Sequence, residues 1–219
     1  MLFLRDEYAA MGEREIDLDD AIRDVYAPTI ADDGARLAWY LYSTHGAGDA
    51  YYTIVITALR DGAAWERLSR RLRYGDLKDW STELDSMTYA SNSSLMVSTD
   101  WSPLAGLDFD AFPVEPVEHD VSLFREDTVE GVAFDASFAV PAGSGDAILT
   151  CLAGFSPLMG DEPVRILYGV APVDELEPAL ADDSGWTDWS GSLVPTLPAG
   201  ARRSSRMLRD VSWSPMARA

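Results

Sequence analysis

The spacing of apolar residues predicts four strands and two helices in the first half of the chain. Apolar and polar positions alternate over the first strand, as on a half-buried sheet. β-branched and aromatic residues dominate the two middle strands, and the segment 45–49 between them predicts a hairpin loop. Each helix carries its apolar residues on one stripe, and Pro28 is expected to end or kink the first helix. Strand, helix, strand, strand, helix and strand are predicted at residues 2–9, 17–31, 37–43, 51–57, 63–74 and 95–100.

Short segments of the first half recur in the same order in the second half. Two matches pair residues 2–7 (LFLRDE) with 122–127 (SLFRED) and residues 98–104 (STDWSPL) with 210–216 (DVSWSPM). The other two pair residues 79–81 (DWS) with 188–190 (DWS) and residues 42–58 with 155–171. Four matches in one order indicate an old duplication.

Each half is therefore predicted to fold as the same βαββαβ unit. The second copy departs from the first, because residues 132–141 form only a short apolar stretch and its second helix is shortened around Pro178. This order of elements is the ferredoxin-like plan, an antiparallel sheet with helices on one face. We predict an α+β fold with a first unit at residues 1–104, a linker at 105–118 and a second unit at 119–219.

Composition and charge exclude several classes of protein. The chain has 219 residues, of which 47% are hydrophobic, so it can build a packed core and is not expected to be disordered. A formal net charge of −20 would repel nucleic acids and anionic membranes, so neither is expected as a partner. No apolar run approaches the ~20 residues of a membrane span, and the single cysteine, Cys151, excludes an internal disulfide. We expect a cytoplasmic protein whose partner is a small molecule or a second copy of itself.

Residues 52–104 resemble the NIPSNAP branch of the dimeric α+β barrel superfamily. The shared features are a hairpin that leads into a charged helix, the pair Asp79-Trp80, and the aromatic-Ser-Pro ending at residues 101–103. Leu4-Arg5 also resembles the family's opening strand, although the usual Glu before it is absent. The resemblance implies that two fused units make, in one chain, the barrel that other members make by dimerising, with a cleft between each sheet and its helices. The superfamily includes cofactor-free monooxygenases, lyases, isomerases, haem enzymes and binding proteins, so the fold does not fix the activity.

The sequence contains no motif for a nucleotide, flavin or metal cofactor. The acidic segment 17–20 lacks the glycine and terminal glutamate of a calcium loop and is assigned to a solvated helix face. Haem is disfavoured, because similar tandem barrels hold it through a histidine in a helix of the C-terminal half. Neither His45 nor His119 falls in such a helix. We therefore expect no cofactor and no metal.

Four residues are candidates for catalysis: His45, Asn92, Tyr40 and Arg5. His45 has Leu158 as its counterpart in the second copy, and an imidazole that titrates near neutrality suits a general base. The alternative for His45 is an exposed turn residue. Asn92 and Arg5 would donate hydrogen bonds to substrate oxygens, with a turn position and a structural ion pair as their alternatives.

Aromatic residues supply the walls of the expected cleft. Along the predicted strand at 37–43, alternation places Trp39 and Leu41 on one face and Tyr40 and Tyr42 on the other. An apolar, aromatic-walled cleft with a few polar groups suits a flat hydrophobic ligand. The candidate substrate-binding residues are Trp39, Tyr42, Tyr51, Trp65 and Trp186. The tryptophans present in both copies, Trp80, Trp101, Trp189 and Trp213, are assigned to the shared scaffold.

The first functional hypothesis is a cofactor-independent oxygenase, similar to the superfamily's antibiotic-biosynthesis monooxygenases. Its partners would be O2 and an electron-rich polycyclic phenol, anthrone or hydroquinone of specialised metabolism, and the substrate anion would itself reduce O2. One alternative is a non-catalytic binding protein for a hydrophobic small molecule. Another is a lyase or cyclase that uses the same cleft without consuming O2. A homodimer of the fused unit is compatible with each hypothesis.

Overall fold

A computed structural model describes residues 1–44, 51–115, 118–131, 149–159, 163–170 and 200–216. Eight strands run through this part of the chain: β1 (Leu2–Ala10), β2 (Ala35–Ser43), β3 (Tyr52–Leu59), β4 (Thr88–Ser98), β5 (Leu123–Glu130), β6 (Leu149–Pro157), β7 (Val164–Val170) and β8 (Arg202–Asp210). The α- and π-helices of the described residues all belong to the first half: α1 (Glu15–Asp20), a π-helical stretch (Ala21–Tyr26), α2 (Ala27–Ile30), α3 (Gly62–Tyr74) and α4 (Lys78–Met87). Two short 3₁₀ helices lie at Ala31–Asp33 and Phe109–Ala111. The predicted helices of the second half, near residues 132–141 and Pro178, lie outside the described residues.

The eight strands close into one antiparallel barrel in the order β1-β3-β2-β8-β5-β7-β6-β4. Taken separately, each half has its fourth strand beside its first, its first beside its third, and its third beside its second. The halves join twice, where β2 pairs with β8 and where β4 pairs with β6. This equivalence confirms the predicted fold, a fused α+β barrel with two ferredoxin-like sheets. The residue boundaries predicted for the two units and their linker stay a prediction.

The barrel interior is packed with apolar side chains from both halves. Phe3, Trp39 and Leu41 point inward and are almost fully buried, which confirms the face predicted for β2. Residues that follow β4 also enter this core, because the ring of Phe112 lies edge-on to that of Phe3 with their centroids 6.0 Å apart. Phe109 is buried in the same cluster. The segment between the halves thus packs against the barrel core.

The helices of the first half cover the outer face of β1, β2 and β3. Leu18 and Ile22, which the sequence predicted to face inward, are fully buried against this face together with Ile30. Val25 was also predicted to face inward, which was wrong, because it lies in the π-helical stretch and is 42% exposed. Pro28 does not end the helical run. A π-helical stretch precedes it, and a short α-helical turn continues through it. The turn at Gly34 ends the run, with a φ of 76° that favours glycine. None of the helices in the described part of the chain is long and apolar enough to cross a membrane.

Two elements of the first half differ from their predictions. Helix α4 was not predicted, although Trp80, Leu84 and Met87 bury one stripe of it. Strand β4 begins at Thr88 rather than at residue 95, so the turn expected around Asn92 was wrong. The polar run has no apolar alternation to reveal a strand, but its backbone pairs with β1, with Asn92 opposite Glu7.

The recurring Trp-Ser-Pro segments link the two halves. The Ser102 hydroxyl, after β4, accepts a hydrogen bond from the Gly154 amide of β6 at 3.0 Å. In the matching place, the Ser214 hydroxyl, after β8, accepts one from the Tyr40 amide of β2 at 3.1 Å. Both serines are buried. The repeated motif thus makes the same contact in both directions. In each half, the serine after the last strand accepts a hydrogen bond from the second strand of the other half.

Replacing either serine by alanine should destabilise the protein. Ser102→Ala and Ser214→Ala each leave a strand amide without this acceptor, which is expected to cost about 1–3 kcal/mol. The two sites lie at different junctions, so the double variant should lose about the sum. Urea unfolding at pH 7 measures the losses, with exposed Ser86→Ala in α4 as the control that changes little. Losses no larger than that of the control would contradict the proposed link.

Candidate active site

A cleft of about 240 Å³ lies between helix α1 and the outer face of β2 and β3. This is the cleft between sheet and helices that the resemblance implied for the first unit. Its lining residues come from α1, the two strands and the segment after β8: Glu15, Ile16, Asp19, Tyr40, Tyr42, Thr53 and Val211. The catalytic candidate Tyr40 and the substrate-binding candidate Tyr42 therefore line the same cavity.

Asp19 is the ionisable group whose environment marks this cleft. It follows Leu18, whose burial orients α1, and its Oδ1 atom is buried with no hydrogen-bond partner among the described residues. The carboxylate accepts a hydrogen bond from the side chain of Trp213. Burial raises the pKa of Asp19 to about 6, against the opposing effects of Trp213 and Arg23. A carboxyl group with this pKa changes protonation state near neutral pH.

Tyr40 provides a neutral hydroxyl at the base of the same cleft. Its side chain is buried, hydrogen-bonded to Thr53, and packed on Trp213 with ring centroids 4.9 Å apart. Burial and the nearby negative charge of Asp19 raise the pKa of Tyr40 above its ordinary value. The phenol therefore keeps its proton at any physiological pH and can act as a hydrogen-bond donor to a ligand oxygen.

Together these groups form a site with a proton acceptor, a neutral hydroxyl and aromatic walls. A carboxylate with a pKa near 6 suits a general base at neutral pH, because it is mostly ionised and still retains basicity. The rings of Tyr40 and Tyr42 offer flat apolar surface for an aromatic ligand, and Trp213 packs against Tyr40. The arrangement suits proton abstraction from a weakly acidic aromatic molecule.

Two other candidate catalytic residues, Arg5 and Asn92, lie outside this cleft. Arg5 points into the barrel interior, where it is 1% exposed and pairs with Glu126 at 2.8 Å and Glu7 at 2.9 Å. Its alternative assignment as a structural ion pair matches this position. Asn92 lines a separate pocket at one end of the barrel. His45 lies outside the described residues, so its assignment as a base stays a prediction.

Three of the remaining substrate-binding candidates, Trp39, Trp65 and Tyr51, do not line the cleft. Trp39 is buried in the barrel interior, on the opposite face of β2 from Tyr40. Trp65 is partly exposed on α3, and Tyr51 lies just before β3, with its ring beside Gly12. Trp186 lies outside the described residues.

Sequence reasoning missed two members of the cleft, Asp19 and Thr53, and the contacts that Trp213 makes with Asp19 and Tyr40. Asp19 was placed with its acidic neighbours on a solvated helix face, although it directly follows the inward-facing Leu18. Trp213 was assigned to the scaffold because it recurs as Trp101, yet it also hydrogen-bonds Asp19 and packs on Tyr40. Thr53 was recognised only as part of a strand face. The inward position of Leu18 was the one available signal for Asp19.

The His119 side chain contacts backbone carbonyl groups and does not line the cleft. Its ring nitrogens lie 2.8 Å from the carbonyl oxygens of Asp120 and Ser214. Burial alone would lower the pKa of His119, but these two carbonyls and the nearby Asp210 carboxylate raise it. Within the described ranges, no group of three or more His, Cys, Asp or Glu side chains is arranged to hold a metal ion.

Comparison with solved structures identifies the fold. A "putative monooxygenase" from Lactobacillus acidophilus aligns over 99% of this chain and 97% of its own, with 10% identity and a TM-score of 0.54. A second "putative monooxygenase", from Fusobacterium nucleatum, aligns over 100% and 97%, with 10% identity and a TM-score of 0.53. A NIPSNAP-domain protein from Burkholderia xenovorans aligns over 47% of this chain and 99% of its own, with 16% identity and a TM-score of 0.39. No protein-family model and no curated protein matches the sequence.

These alignments define the class of the protein by its fold. The two full-length matches share the fused α+β barrel with this chain. The predicted resemblance to the dimeric α+β barrel superfamily is thus confirmed at the level of the fold. At these identities the chemistry must be argued from the cleft itself.

Proposed function

We propose that the protein is a cofactor-independent oxygenase that acts on an electron-rich phenol, hydroquinone or anthrone in the cleft beneath α1. The observation that carries this proposal is the lining of the cleft: Asp19, whose Oδ1 is buried without a hydrogen-bond partner among the described residues, lines the same cavity as the hydroxyl-bearing Tyr40 and the ring of Tyr42. The names of the two full-length structural matches agree with this class of reaction.

In the proposed reaction, Asp19 removes a proton from the substrate, and the resulting substrate anion then reacts with O2. Tyr40 donates a hydrogen bond to the anionic oxygen, which stabilises charge in a site screened from water. The anion transfers one electron to O2, and the radical pair combines into a peroxide, which takes up the proton held by Asp19. With anthrone, loss of water converts the CH2 group to a carbonyl, so one oxygen atom enters the product and the other leaves as water. The substrate supplies all four electrons that O2 accepts.

The size of the cleft narrows the substrate class. Ligand pockets usually enclose roughly 300–1,000 Å³. The 240 Å³ cleft lies below this range, which favours a compact aromatic with few rings over an extended polycycle. A bicyclic hydroquinone is therefore the first substrate class to test, with anthrone as the larger comparison.

The test is oxygen uptake by the purified protein. With a naphthohydroquinone or anthrone, we expect O2 consumption above the spontaneous rate, and incorporation of one labelled oxygen atom from ¹⁸O2 into anthraquinone. An optical spectrum and metal determination of the same sample come first, because a Soret band or bound iron would overturn the cofactor-independent reaction. Ligand binding without O2 consumption would favour the binding protein, and product formation without O2 consumption would favour the lyase or cyclase.

A further inference from the structure

A second feature, separate from the cleft, is a cluster of charged side chains inside the barrel. Inward-facing positions of β1, β5, β7 and β8 place three guanidinium groups and two carboxylates together, at the end of the barrel away from Phe3 and Phe112. The five residues are Arg5, Glu7, Glu126, Arg165 and Arg206.

The two carboxylates are occupied by two of the arginines. Glu126 pairs with Arg5 at 2.8 Å and with Arg206 at 2.7 Å. Glu7 pairs with the same two arginines at 2.9 and 2.8 Å. Although burial opposes ionisation, these arginines lower the pKa of Glu126 and lower that of Glu7 to about 2. Both carboxylates are therefore ionised at neutral pH, and the cluster carries one excess positive charge.

Arg165 holds that excess charge. Its Nη1 donates a hydrogen bond to the Thr128 hydroxyl at 2.6 Å, but its carboxylate contact, with Glu126, is 3.8 Å long. Burial lowers the pKa of Arg165, and repulsion by Arg5 and Arg206 lowers it further. Among the described residues, no carboxylate pairs with Arg165 at the 2.7–2.9 Å of the other ion pairs in the cluster, so its charge is available to an anionic ligand.

The space beside Arg165 is a pocket of about 460 Å³ at this end of the barrel. Its lining includes the hydroxyl or amide side chains of Tyr52, Asn92, Thr128 and Ser204, the guanidinium groups of Arg165 and Arg206, and the Glu7 carboxylate. Such a volume exceeds that of a single monatomic ion by many times. Hydrogen-bonding groups and two guanidinium groups against one carboxylate make the pocket suitable for a polar ligand, and its chemistry differs from that of the cleft beneath α1.

We propose that this pocket binds a small polar metabolite through an oxyanion, a carboxylate or phosphate group, held by the Arg165 guanidinium. The oxyanion neutralises the excess charge of the cluster, and Asn92 and Ser204 hydrogen-bond the rest of the ligand. Planar guanidinium groups bind carboxylate and phosphate oxygens through paired hydrogen bonds. On a chain of net charge −20, this end of the barrel is a local exception that attracts anions.

Isothermal titration calorimetry on the full chain tests the proposal. Succinate and inorganic phosphate are titrated in parallel at constant ionic strength, so that the two arms distinguish a carboxylate from a phosphate ligand. We expect saturable 1:1 binding of at least one probe. Arg165→Gln, which keeps a side-chain amide near Thr128, should weaken binding about 10- to 100-fold, because it removes a charge-assisted hydrogen bond.

Two controls separate binding from a structural role of Arg165. Arg70→Gln changes an exposed arginine on α3 and should leave the affinity unchanged. Without any probe, Arg165→Gln should melt at or above the temperature of the unmodified protein, because it removes the repelled charge. If neither succinate nor inorganic phosphate binds saturably, the proposal is overturned. Equal affinities of the Arg165→Gln and Arg70→Gln variants would also overturn it.

Discussion

Replacing Asp19 by asparagine is expected to lower the rate of substrate-dependent oxygen uptake about 10²- to 10⁴-fold, the usual contribution of a general base. The introduced amide would fill nearly the same volume in the cleft as the carboxylate but would not accept the substrate proton. Substrate binding should change little, because the walls formed by Tyr40 and Tyr42 remain. Steady-state oxygen-electrode measurements give kcat and KM separately, and the loss should fall on kcat.

The pH profile provides a sharper signature than the rate alone. Because the pKa of Asp19 is raised to about 6, the uptake rate of the unmodified protein should rise from pH 5 to 7 as the carboxyl group ionises. The Asp19→Asn variant should lack this rise. Asp17→Asn, on the exposed side of the same helix, is the matched control and should keep both the rate and the profile.

Measuring the stability of the Asp19→Asn variant distinguishes loss of the catalytic base from damage to the fold. A folded-state pKa above that of the unfolded chain means that Asp19 favours the fold below its unfolded pKa of 3.8, and that this contribution is lost as pH rises through about 6. Asp19→Asn should therefore be at least as stable as the unmodified protein at pH 7. An inactive, destabilised variant would contradict the assignment, and so would an active one. If His45→Ala abolishes uptake while Asp19→Asn does not, His45 is the base, as the sequence predicted.

The sequence predicted the sheets and their pairing well, because these depend on repeated local patterns. Alternation predicted that Trp39 and Tyr40 lie on opposite faces of β2, and the repeats, with the resemblance to dimeric α+β barrels, predicted one barrel from two units. Patterns of this kind fail where a polar residue is positioned by a distant segment. Asp19 and Trp213 meet only because the end of the second half folds over the first, and no local spacing encodes that contact.

The charged residues of the barrel interior also show what local sequence patterns fail to predict. Arg5 and Glu126 occupy positions that alternation assigns to the core, and an isolated charge there would argue against a strand. Their partnership spans 121 positions of sequence, so neither residue reveals the other. The match of residues 2–7 with 122–127 indicated that β1 and β5, which carry Arg5 and Arg125, are related. It did not show that Glu126 of β5 would pair with Arg5 of β1.

Glu126→Gln should be the most destabilising of the single changes considered, with an expected loss of about 3–5 kcal/mol in the free energy of unfolding. Glu126 is 2% exposed and neutralises arginines on two strands, one from each half of the barrel. Its amide replacement would leave three guanidinium groups facing one carboxylate, Glu7, in a poorly solvated interior. Guanidinium chloride unfolding at pH 7, with Glu130→Gln at the exposed end of the same strand as control, measures the loss.

A second substitution tests whether charge imbalance causes that loss. Adding Arg165→Gln to Glu126→Gln removes one of the three positive charges, so the double variant should regain part of the lost stability. Two changes that each damaged packing would instead add their costs. A double variant less stable than Glu126→Gln alone would show that shape complementarity, rather than charge, dominates the barrel interior. A recovery would support both the ion-pair account of Glu126 and the excess charge assigned to Arg165.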